Sequence, residues 1–159
     1  LPALALAAER GEADVMSRPP RKRTDNVLTG EISMLIVAGG INAILSLGIF
    51  WWLLNGTGNL ELAQTGALTT TIIFQFFLAL STRLKASALT HSPFGNPWLL
   101  GAIGVSLGLH LILLHTPMAG LFNVQALSPT VWLWILASTL GGFVVFELCK
   151  GLKARTSQA

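Results

Sequence analysis

Long apolar runs separated by short polar clusters dominate the pattern of this 159-residue chain. Four runs stand out, at about 32–54, 67–84, 98–115 and 131–148. They are continuously apolar rather than alternating, so each predicts a helix and not a half-buried strand. A helix of 18 residues rises about 27 Å, close to a hydrocarbon core of roughly 30 Å. The breaks are marked by Asn55-Gly-Thr-Gly-Asn59, by His91-Ser-Pro-Phe-Gly-Asn-Pro97, by Thr116-Pro117 and by Ser128-Pro129-Thr130. Such clusters end helices or open new ones. The pattern predicts an all-α fold, a polytopic transmembrane helix bundle. Continuous apolar runs also argue against a membrane barrel.

Composition sharpens this reading. Hydrophobic residues make up 52% of the chain and charged residues 11%, against roughly 25% charged in a soluble domain. From Ala86 to Phe146 no residue carries a formal charge. A disordered tail and a soluble globular enzyme are both excluded. A Lys, Arg or Asp at mid-span would cost about 2.5–3.5 kcal/mol. Arg83 lies at the end of its run, where its side chain reaches the headgroups.

The net charge of +3 raises the question of nucleic acid, but the basic residues flank the apolar runs. Membrane lipid is the expected partner, and nucleic acid is not. Five basic residues precede the first run (Arg10, Arg18, Arg21, Lys22, Arg23), and Arg83 and Lys85 follow the second. Lys150, Lys153 and Arg155 follow the fourth, and the intervening loops at 55–66 and 116–130 hold none. By the positive-inside rule both ends of the chain are cytoplasmic. Trp51, Trp52, Trp98, Trp132 and Trp134 lie near run ends, as an interfacial aromatic belt requires. Cys149, the one cysteine, excludes an internal disulfide and reads as a buried thiol.

Polar residues inside spans are candidates for function, because lipid offers them no partner. Gln75 shares a helix face with Thr71 and Thr82; its amide oxygen suits a hard cation and equally an interhelical hydrogen bond. Asn42 with Gly39, Gly40 and Ser46 reads first as helix packing, as do Gly104 and Gly108. His110 reads as an interior hydrogen-bonded histidine, and Glu147 with Lys150 as a surface ion pair at i, i+3. No phosphate-cradling loop, metal motif or nucleophile–base pair occurs, so no catalytic residue is expected in the chain itself.

The chain opens Leu-Pro-Ala-Leu-Ala-Leu-Ala-Ala, with no initiator Met and no basic residues ahead of it. Residues 1–8 are therefore expected to be the end of a fifth helix, cut by truncation from a longer protein.

Particular segments carry a family resemblance. Leu1-Pro-Ala-Leu-Ala-Leu followed by Glu12-Ala-Asp-Val-Met-Ser-Arg-Pro-Pro-Arg21 resembles the end of the sixth membrane helix and the next cytoplasmic loop of type-II P-type cation ATPases. Ala38-Gly-Gly40 with Trp51-Trp52 is similar to the seventh helix, and Phe74-Gln-Phe-Phe-Leu-Ala-Leu80 to the eighth. Asn96-Pro-Trp-Leu-Leu-Gly101 and Val144-Val-Phe-Glu147 resemble the start of the ninth and the end of the tenth. The likeness is calcium-pump-like, with the short loops of bacterial members.

The resemblance implies the C-terminal membrane domain of an ATP-driven pump for a divalent cation, with Ca²⁺ preferred. Its division would be 1–8 helix end, 9–31 cytoplasmic loop, 32–149 four spans and 150–159 cytoplasmic tail. The phosphorylated aspartate and the nucleotide domain would lie outside, so the chain alone would neither hydrolyse ATP nor pump. Mg²⁺ and ATP are expected for the intact pump and no cofactor for this part; the partners are the pump's other domains and helices and the cation. Gln75 stands where some calcium pumps have a glutamate, implying one divalent site at most. Met16, Arg18, Pro19, Pro20 and Arg21 would form a loop coupling hydrolysis to helix movement, and the plasma membrane is the expected location. A stand-alone four-helix scaffold is the alternative of a different class, and a small secondary transporter a third, though no internal repeat supports it.

Overall fold

The computed structural model describes residues 32–82 and 97–156, with the side chains of Thr82 and 154–156 outside that description. The expected helix end at 1–8, the cytoplasmic loop at 9–31 with Met16, Arg18, Pro19, Pro20 and Arg21, and Arg83 and Lys85 all lie outside the described residues. Four long helices form: α1 (Ile32–Thr57), α2 (Leu60–Thr82), α3 (Pro97–His115) and α4 (Pro129–Thr156). A 3-10 turn, Pro117–Leu121, joins α3 to α4. No strand occurs among the described residues. All four helices are long and apolar enough to cross a membrane.

Two boundaries differ from the apolar runs. α1 continues through Thr57, and the break is confined to Gly58 and Asn59. Gly58 takes φ +65° and its N–H bonds to the Leu54 carbonyl at 2.8 Å, an αL helix cap that a side chain would strain. Asn59 then caps α2, its Oδ1 accepting from the Leu62 N–H at 3.1 Å. α2 therefore opens at Leu60 rather than at 67, because a capped first turn tolerates Glu61 and Gln64 where a hydropathy run does not. α4 runs past 148, carrying Lys150 and Lys153 on the same helix.

Lipid supplies no hydrophobic drive to bring spans together, so close approach depends on small residues and polar contacts. Two glycines meet that need. A Cβ on Gly66 of α2 would collide with Leu53 Cδ1 and lie 3.2 Å from Ile49 Cγ2 of α1. A Cβ on Gly142 of α4 would lie 2.5 Å from Leu45 Cδ1 and 3.0 Å from Ile41 Cγ2, also on α1. α1 is thus seated on both α2 and α4. Phe77 of α2 stacks on Phe143 of α4 with centroids 5.3 Å apart, and Trp52 of α1 meets Trp134 of α4 at 5.9 Å. The core joins Ile49 and Leu53 of α1, Ala63 and Ile73 of α2, Leu114 of α3 and Val131 and Ile135 of α4. Trp51, Trp98 and Trp134 remain exposed, where an interfacial belt would hold them.

Candidate functional site

The helices sort their polar residues into an exposed amide, a buried threonine ladder and a buried charged cluster. Gln75 is exposed on α2, while Thr70, Phe74 and Ser81 of the same helix are fully buried against its neighbours. Thr71, one turn before Gln75, is half-buried. The amide therefore faces outward from the described bundle, at mid-span. Among the described residues no group of three or more His, Cys, Asp or Glu could hold a metal ion.

Asn42 and the expected packing glycines are placed differently. Asn42 Oδ1 is buried and accepts no hydrogen bond among the described residues. The contact across this seam is made instead by Ser46, whose hydroxyl donates to the Ala67 carbonyl of α2 at 3.3 Å. A Cβ at Gly39, Gly40, Gly104 or Gly108 would meet nothing within 4 Å. Close packing falls on Gly66 and Gly142, which have no second glycine four residues away.

The ladder runs along one face of α2. Thr65 Oγ1 donates to the Glu61 carbonyl at 2.7 Å, and Thr69 Oγ1 donates to the Thr65 carbonyl at 2.8 Å. Each hydroxyl has then used its hydrogen, and its oxygen is left as an acceptor. Thr65 Oγ1 accepts from the Gln125 N–H at 3.0 Å, and Thr69 Oγ1 lies 3.0 Å from His110 Nε2 of α3. His110 is accordingly the donor, with its proton on Nε2. Gln125 is tied further, its Nε2 donating to Glu61 Oε2 at 2.8 Å and its Oε1 accepting from Asn59 Nδ2 at 3.0 Å. The segment before α4 and the helix α3 are both held to α2 through threonines. The apolar runs do not single out this face; the i, i+4 spacing of Glu61, Thr65 and Thr69 is the signal that could have marked it.

This arrangement predicts a modest coupling. Thr69→Val and His110→Leu, singly and together, should give an interaction energy of about 0.6–1.7 kcal/mol in a double-mutant cycle. Thermal unfolding in detergent measures it; additive losses would show that the two side chains do not interact.

The expectation of a surface pair at Glu147 and Lys150 is corrected. Glu147 is only 1% exposed, and its Oε1 accepts from the Ser81 hydroxyl of α2. Lys150 Nζ donates to the Ser81 carbonyl at 2.8 Å and lies 3.2 Å from Ser81 Oγ and 3.9 Å from Glu147 Oε1. Ser81 belongs to the last turn of α2, whose carbonyls have no partner within the helix. The ammonium caps that turn and complements its negative dipole end. One turn away, Lys153 Nζ donates to Ser33 Oγ at 2.9 Å at the start of α1. α4 thus grips the ends of two helices. The i, i+3 spacing showed that the two charges are neighbours, but burial depends on α2, which spacing cannot show.

A family model described as "Cation transporting ATPase, C-terminus" matches residues 1–152. A calcium-transporting ATPase of Bacillus subtilis is 30% identical over 141 residues, covering 86% of this chain and 16% of that protein. An endoplasmic-reticulum-type calcium-transporting ATPase of Arabidopsis thaliana is 27% identical over 187 residues, covering 98% of this chain and 19% of that protein. A probable calcium-transporting ATPase of Trypanosoma brucei brucei is 30% identical over 155 residues, covering 80% and 15%. The chain spans less than a fifth of the length of each of these three relatives.

Proposed function

This chain belongs to the family of cation-transporting ATPase C-termini, and from that premise we propose that it is the C-terminal membrane region of an ATP-driven Ca²⁺ pump. The single observation that carries the proposal is the family match over residues 1–152, which takes in α1, α2, α3 and most of α4. The calcium-transporting names of the relatives support the choice of ion. The stand-alone scaffold is not favoured by that match. The chain is an integral membrane protein, with four helices long and apolar enough to span.

Within such a pump the roles divide by residue. Gln75 supplies a cation ligand: it is a mid-span amide exposed toward whatever packs on the outer face of α2, and lipid would penalise it there. It brings an oxygen without a charge, so it offsets nothing of a second Ca²⁺, and the pump carries one divalent site at most. Asn42 keeps a buried acceptor with no partner among the described residues, while Gly39, Gly40, Gly104 and Gly108 have open space where a Cβ would stand. They suit the approach of the pump's other helices. The basic segment 9–31 with Met16, Arg18, Pro19, Pro20 and Arg21 serves as the cytoplasmic coupling loop, stiffened by its Pro-Pro pair. Both chain ends lie in the cytoplasm, the tail 150–159 among them, and the host is the plasma membrane. ATP and Mg²⁺ act on other domains of the pump.

Counting bound ⁴⁵Ca²⁺ against phosphorylated enzyme in the full-length ATPase tests this reading. One ion per phosphoenzyme is expected. Two would remove the single-site proposal, and no Ca²⁺-dependent phosphoenzyme would remove the choice of ion.

A further inference from the structure

We propose that Glu147 and Lys150 are positioning residues for Gln75. By fixing the end of α2 against α4, they set the depth and rotation at which the Gln75 amide is presented. The inference rests on the reading of Gln75 as a cation ligand and adds to it the device that holds the ligand in place.

The geometry is specific to this end of the helix. Ser81 stands six residues after Gln75, about 9 Å further along α2 at 1.5 Å per residue. Its hydroxyl and carbonyl are both engaged by α4, the first by Glu147 and the second by Lys150 at 2.8 Å. A slide of α2 along its axis breaks the carbonyl bond, and a rotation breaks the hydroxyl bond. The two contacts together therefore define both coordinates. Between Ser81 and Gln75 the stacked Phe77 and Phe143 rings hold the same two helices but are smooth along the stacking plane. A ring stack tolerates a small slide along its plane, so by itself it does not select a register. Polar contacts do, and a buried ionic group best earns its place by specifying register. An α-helix transmits a shift at one end to a residue less than two turns away with little loss.

The test uses the full-length ATPase and the Ca²⁺ dependence of its phosphorylation by ATP. The informative variant is E147Q/K150M, which removes both charges together and so leaves neither Glu147 nor Lys150 without the charge it faces at 3.9 Å. It should raise the Ca²⁺ concentration for half-maximal phosphorylation by about tenfold, the size seen when support for a metal ligand is lost. The ATP dependence and the phosphorylation level at saturating Ca²⁺ should not change, which separates positioning from general loss of structure. Lys150→Arg keeps a donor for the Ser81 carbonyl and should restore the wild-type Ca²⁺ dependence. Combined with Gln75→Ala, the double variant should add nothing further.

If Gln75→Ala shifts the Ca²⁺ dependence but E147Q/K150M does not, or the two shifts multiply, the positioning role is overturned and the ligand reading stands. If Gln75→Ala itself has no effect, the ligand reading fails and the positioning role falls with it. If E147Q/K150M does not reach the membrane folded while wild type does, the cluster serves assembly and the proposal is likewise overturned.

Discussion

Lys150→Met alone is expected to destabilise the bundle by about 3–5 kcal/mol, the cost of removing one partner from a buried charge pair. Glu147 is the reason. Its side chain has no exposed surface, while that of Lys150 keeps 17%. Removing the lysine takes away an ammonium that lies 3.9 Å from a carboxylate buried among the described residues, and strips the cap from the Ser81 carbonyl. E147Q/K150M should be markedly more stable than Lys150→Met, because an amide can still accept from the Ser81 hydroxyl without a charge. Thermal unfolding of the three proteins in the same detergent decides the matter. A single variant as stable as the double would mean that Glu147 draws no support from Lys150.

Gly66→Val is expected to cost about 1–3 kcal/mol by overpacking. The new Cβ collides with Leu53, which is 3% exposed, and crowds Ile49, which is 8% exposed. Both belong to the core, so neither side chain can swing into free space. Gly142→Ala should cost less, since Leu45 is only half-buried and its methyl can turn aside. Gly104→Ala provides the contrast. With nothing within 4 Å of its Cβ, it should be neutral or gain about 0.5–1 kcal/mol from helix propensity. Unfolding temperatures that rank the three in any other order would contradict the seating of α1 on Gly66 and Gly142.

The spans were legible in the sequence for a simple physical reason. A membrane helix must be apolar on every side, so its signal is a run and does not depend on which neighbour it meets. The break at Gly58 and Asn59 was within reach for the same reason, because a positive φ and an Asn cap are local devices. Which face of each helix would be covered was not legible. Gly104 and Gly108 have the spacing of a packing motif and face open space, whereas Gly66 and Gly142 lack a partner glycine at that spacing and carry the helix contacts. When all faces are equally apolar, no periodicity marks the one that will be covered.

The same limit governed the charged residues. Glu147 and Lys150 were visible as an i, i+3 pair, and a pair at a span end usually sits in water. What buries them is the last turn of α2, more than 60 residues away in the chain. His110 was easier, because a histidine in a span must find a partner, although the identity of Thr69 came only from the fold. Gln75 was found from its mid-span position, and its outward orientation came from the burial of Thr70, Phe74 and Ser81 around it.

The most direct test is ATP-driven ⁴⁵Ca²⁺ uptake into inside-out membrane vesicles carrying the full-length ATPase, compared with the same protein lacking residues 32–159. Uptake that requires ATP and disappears when these helices are removed is expected. Uptake that persists without them, or none in the full-length protein under any ATP concentration, would contradict the pump reading.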